Sequence, residues 1–75
     1  MIIIYNLIMI SYKPFFETLK KKNISTYMLI YKYGISSATI NRIKNGGGIT
    51  TAKINDLCGI LGCNVEDIIV FKKDN

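Results

Sequence analysis

The sequence predicts an all-α domain with a short β-strand at each end, and three observations lead there. Helix-opening residues recur at short intervals, at Pro14, Ser25, Ser36 and Thr50, each followed by apolar side chains at helical spacing. Asparagine or glycine stands where each such stretch stops, at Asn23, Gly34, Asn45-Gly46 and Gly62. Both ends, by contrast, are apolar runs rich in β-branched residues, Met1 to Ile10 and Ile68 to Phe71.

Taken in order, Pro14 opens the first helix because its missing N–H has no partner in a first turn anyway, and Phe15, Phe16 and Leu19 form its apolar stripe. That helix ends near Asn23, with Lys20, Lys21 and Lys22 in its last turn, where the helix dipole favours cations. Ser25 caps a second helix carrying Leu29, Ile30 and Tyr33 on one side, and Gly34 stops it. Only two residues later Ser36 caps a third, which runs from about Ser37 to Lys44 with Ile40 and Ile43 inward. Asn45 to Gly48 breaks it. Thr50 caps a fourth helix whose Ile54, Leu57, Cys58 and Leu61 follow the spacing of one buried face, closed by Gly62. Asn64 and Asp67 open a final single turn before the C-terminal strand. Four or five helices result. A strand within Ile2 to Tyr12 is expected to pair antiparallel with Ile68 to Lys72 and to support or adjoin a dimer interface. The competing expectation makes Met1 to Ile8 an upstream extension, with Met9 the functional start.

A chain of 75 residues makes one domain with a small core, here divided into an N-terminal strand or extension over residues 1–13 and a helical domain over residues 14–75. Ten Lys and Arg against five Asp and Glu give a formal charge of +5, which favours a polyanionic partner. Two cysteines make no disulfide framework and fit a reducing, cytoplasmic setting. The apolar start is too short to span a bilayer and lacks the basic lead and cleavage site of a secretory signal, so no membrane role is expected.

Catalytic and metal chemistry are poorly served. There is no histidine, the acids are scattered, and Cys58 and Cys63 have no other soft ligands near them in sequence. No cofactor, metal or small-molecule ligand is expected. Cys58 reads as a core residue on the apolar face of the fourth helix, and both thiols are expected to stay reduced and to be dispensable for binding. The glycine run Gly46 to Gly48 lacks the Lys-Ser/Thr and the preceding strand of a phosphate loop. Tyr27, Tyr31 and Tyr33 fall at helical spacing, which points to partial burial and surface packing rather than to stacking on single-stranded bases.

From Thr26 to Gly46 the chain resembles the Cro/C1-type helix-turn-helix (XRE family) of phage repressors and small bacterial regulators. The resemblance rests on Gly34 at the turn, Ile35 after it, Ile40 and Ile43 inside, and the closing Asn45-Gly46. Glycine lets the backbone reverse, and the apolar residues lock the two helices at a fixed angle. Ile30 departs from the family, which usually has a small residue there. From Met9 onward the chain fits the family's plan, which implies a five-helix, lambda-repressor-like DNA-binding domain.

With Ile40 and Ile43 inward, a step of roughly 100° per residue turns Ala38, Asn41, Arg42 and Asn45 outward, with Ser37 at the flank. The resemblance implies that Ser37, Ala38 and Arg42 touch base edges in the major groove, with Asn41 close by. Arg42 can donate two hydrogen bonds to guanine, whereas Ser37 and Ala38 discriminate weakly. It also implies that Thr26 meets a phosphate, and Lys44, Asn45 and the segment through Thr50 are placed to grip the opposite strand. The expected partners are double-stranded DNA and a second copy of the chain, in a homodimer spanning half-sites roughly 34 Å apart. The expected role is a sequence-specific, repressor-like transcriptional regulator. The alternative is an antitoxin-like protein-interaction module that binds DNA secondarily.

Overall fold

The computed structural model describes residues 8–73, so the expectations for Met1 to Leu7 fall outside the described residues. Strand β1 (Ile8–Ser11) leads into α1 (Lys13–Lys22), followed by α2 (Thr26–Tyr31), α3 (Ser37–Lys44), α4 (Thr51–Leu61), a single 3₁₀ turn at Val65–Asp67, and β2 (Val70–Lys73). Among the described residues there are thus four α-helices, and the expected fifth is reduced to that turn. The reason is local. Asp67 accepts the Asn64 N–H at 3.0 Å and caps the turn, but Ile68, Ile69 and Val70 follow as three β-branched residues that favour extended chain. Ile68 then turns fully into the core rather than joining the strand, so β2 starts later than its composition suggests.

The capping residues act as their types dictate. Ser25 accepts the Met28 N–H at 3.1 Å, Ser36 the Thr39 N–H at 3.2 Å and Thr50 the Lys53 N–H at 3.2 Å. Three helices end on the same device, in which a residue with positive φ lets the next N–H reach back five residues: Ile24 to the Leu19 carbonyl, Gly47 to Arg42, and Cys63 to Cys58. Asn23 takes the first of these left-handed positions at φ 58°, as asparagine can.

The core lies where the four helices meet. Phe15 and Leu19 of α1, Leu29 of α2, Ile40 and Ile43 of α3, Leu57 and Leu61 of α4, and Ile68 are all buried. Each contributes roughly 2 kcal/mol by leaving water, which matters in so short a chain. Phe16, expected on the stripe of α1, is instead exposed and meets Phe15 edge-on at 5.1 Å. Thr18 donates to the Asp67 carbonyl at 2.8 Å and ties α1 to the 3₁₀ turn.

The two strands pair antiparallel, with Ile8 opposite Lys73, Met9 opposite Lys72, Ile10 opposite Phe71 and Ser11 opposite Val70. This is the pairing that the β-branched ends predict, shifted toward the C-terminus. Met9, Ile10, Val70 and Phe71 remain exposed on the ribbon.

Candidate nucleic-acid interface

The site is built by the way α2 hands the chain to α3. Helix α2 stops at Tyr31, three residues before Gly34, and its end unwinds through Lys32 and Tyr33, whose N–H groups both bond to the Met28 carbonyl. Tyr33 is therefore outside the helix and exposed, not on its buried side. Gly34 at φ 78° reverses the backbone, a conformation that costs other residues about 1–2 kcal/mol. Ile35 then donates to the Leu29 carbonyl at 2.9 Å and buries its side chain, which pins the turn against α2. Ile30, the bulky departure, sits half-buried and packs against the core.

Helix α3 divides sharply into two faces. Thr39, Ile40 and Ile43 are buried, while Ser37, Ala38, Asn41, Arg42 and Lys44 are exposed, with Asn45 exposed at the C-cap. The structure thus brings five of the eight expected contact residues onto α3 and a sixth, Asn45, to its C-cap. The other two flank it: Thr26 is half-buried as the first residue of α2, and Thr50 is exposed as the cap of α4. The Thr50 oxygen accepts the Lys53 N–H, which leaves its own hydroxyl proton free to donate.

Two residues that periodicity alone passes over position this face. Thr39 is buried, and its hydroxyl lies 2.9 Å from that of Ser36, so a polar pair fixes the first turn of α3. The signal in the sequence is a serine cap with threonine three residues on. Tyr12, between β1 and α1, is also buried and donates to the Gly47 carbonyl. Gly46 at φ 77° and the Gly47 N–H to the Arg42 carbonyl at 2.7 Å complete the loop that closes α3.

Charge follows the same geography. No acid occurs between Glu17 and Asp56, whereas Lys20, Lys21, Lys22, Lys32, Arg42, Lys44 and Lys53 do, and all seven are exposed. Residues 18–55, which include α2 and α3, therefore carry +7, and the rest of the chain carries −2. Tyr27 and Tyr31 are exposed rather than partly buried, with ring centroids 4.5 Å apart on the surface of α2. Among the described residues no three His, Cys, Asp or Glu side chains converge on a metal-sized site, and no helix is long and apolar enough to cross a membrane.

Two short helices joined through a left-handed glycine, the second presenting a polar and basic face, define a helix-turn-helix module. The chain belongs to the Cro/C1-type helix-turn-helix DNA-binding domain family, whose model matches residues 17–74. Its fold is similar to that of the transcriptional regulator VanUg in a crystal structure of Form II, with a TM-score of 0.80 at 19% sequence identity over 89% of each chain. Among curated proteins none matches this chain.

Proposed function

We propose that the chain is a sequence-specific transcriptional regulator of repressor type, which binds double-stranded DNA by laying α3 in the major groove. The observation that carries this is the division of α3, with Ile40 and Ile43 anchoring one side while Ser37, Ala38, Asn41 and Arg42 stand exposed on the other. Arg42 reads guanine through two hydrogen bonds; Ser37, Ala38 and Asn41 contribute weaker base contacts. Thr26, Lys44, Asn45 and Thr50 hold phosphates on either side and set the register without reading sequence. The acid-free stretch around them supports this role, because phosphate affinity grows with each cation brought to the backbone.

The functional unit is a homodimer. One module buries too little surface for strong operator binding, and the exposed apolar side chains of Met9, Ile10, Val70 and Phe71 offer a second copy a surface to cover. Selection of bound duplexes from a random pool tests both statements. The expected product is an inverted repeat with half-site centres roughly 34 Å apart. A folded protein that enriches no sequence would refute the proposal.

A further inference from the structure

Cys58 and Cys63 stand five residues apart, a spacing that by itself suggests two independent thiols. The end of α4 pairs them. Gly62 takes φ 62° and the Cys63 N–H donates to the Cys58 carbonyl at 3.1 Å, an arrangement in which the side chains of the two hydrogen-bonded residues meet. Covalent geometry then keeps their Cα atoms inside the limit of about 7 Å that a disulfide requires.

Neither sulfur is sealed in the core. Both residues are half-buried, and both line two surface clefts of about 480 and 420 Å³, the first walled by Thr18, Lys21, Lys22 and Asp67. An oxidant the size of hydrogen peroxide has access to them.

We propose that Cys58 and Cys63 form a dithiol site that a hydroperoxide oxidises to an intramolecular disulfide, closing the end of α4 covalently. One thiolate attacks a peroxide oxygen, breaking the O–O bond and giving a sulfenic acid and water. The second sulfur then attacks the sulfenic sulfur, forming S–S and breaking S–O, and a second water leaves. Two thiols lose two electrons and two protons in all, and one hydrogen peroxide becomes two waters. The pair needs no resolving partner from another chain, and the inference does not depend on DNA binding.

The test uses the full chain, reduced and freed of reductant, then exposed to a small excess of hydrogen peroxide in buffer and, separately, in concentrated urea. Intact mass, thiol titration and a non-reducing peptide map are read over time. The monomer should lose about 2 Da as both thiols disappear together, and dithiothreitol should restore them. The ratio of intramolecular disulfide to linked dimer and over-oxidised product should be about tenfold higher in buffer than in urea, because the fold holds the second sulfur beside the sulfenic acid once it forms. Cys63→Ser, shown to be folded by circular dichroism, should give an oxygen adduct on Cys58 or a linked dimer, with no 2 Da loss. The proposal is overturned by the same product ratio in buffer and urea, by thiols that persist in buffer, or by a wild-type product that is mainly a linked dimer or a single-cysteine adduct.

Discussion

The Tyr12 hydroxyl donates a hydrogen bond to the Gly47 carbonyl, 35 residues further along the chain. It connects the end of β1 to the loop that closes α3, so the segment before the helices helps to set the backbone after the base-facing residues. Tyr12→Phe keeps the buried ring but leaves that carbonyl without its donor. It should destabilise the protein by about 1 kcal/mol in urea denaturation and weaken DNA binding with no change in sequence preference. An unchanged denaturation midpoint would show that the bond contributes nothing net.

Arg42 and Lys44 are both exposed on α3, yet they should fail differently. Arg42→Ala should cost about 1–3 kcal/mol and relax the preference at one base pair per half-site, since it removes a base-reading group. Lys44→Ala should weaken all duplexes alike and reduce the slope of log K against log salt by about 1, since it removes a phosphate contact. Binding measured on matched and mismatched duplexes at several salt concentrations separates the two. A change of specificity in Lys44→Ala would reverse the assigned roles.

The neighbouring glycines Gly46 and Gly47 make a sharper pair. A Cβ at Gly46 would meet nothing within 4 Å, but the backbone there has φ 77°, so Gly46→Ala should cost about 1–2 kcal/mol through the left-handed conformation alone. At Gly47 the φ is ordinary and a Cβ would lie 3.5 Å from the Arg42 carbonyl oxygen, which is normal contact. Gly47→Ala should therefore stay within about 0.5 kcal/mol of the parent. Thermal or urea unfolding of the two variants side by side checks the order.

Burial pushes the Cys63 thiol above its ordinary range; the adjacent Cys58 and Asp67 act in the same sense, and Lys22 opposes them. Its alkylation by iodoacetamide in the Cys58→Ser chain should accelerate at higher pH in the folded protein than in urea. Because the folded value is the higher one, the neutral thiol contributes stability that is complete below the unfolded value and lost as pH rises through the folded one. Identical alkylation profiles with and without urea would contradict the assigned cause.

Phe71 is 62% exposed opposite Ile10 on the strand ribbon. If a second copy covers this surface, Phe71→Glu places a carboxylate in the contact and should shift the mass in solution from dimer toward monomer, with a loss of operator affinity that higher protein concentration restores. Light scattering across a dilution series reads the shift. A variant that remains as dimeric as the parent moves the interface elsewhere.

The Ser25, Ser36 and Thr50 caps, the stops at Asn23, Asn45-Gly46 and Gly62, and the inward pair Ile40 and Ile43 were legible because each depends on residues within one or two turns, whereas α2 ends at Tyr31, short of the expected stop at Gly34. A serine that accepts the N–H three residues on, or a glycine that permits positive φ, needs no distant partner. The same locality made the exposed face of α3 readable from a step of roughly 100° per residue. Where the expectation slipped, a longer-range or steric demand had intervened. Phe16 falls at helical spacing but finds no partner surface, and the C-terminal turn yields to extended chain after one 3₁₀ turn because Ile68 is drawn into the core.

The sequence by itself thus determined that four helical stretches form, the serine and threonine caps of three of them and the polar outer face of α3, since hydrogen bonds and periodicity within a few residues settle them, while the fifth helix that it led one to expect is a single 3₁₀ turn. Only the tertiary structure decided that Tyr12 reaches Gly47, that Thr18 holds the Asp67 carbonyl, and which residues of the two ends pair. Those contacts join residues far apart in the chain, where packing of the whole core, not local propensity, fixes which groups meet.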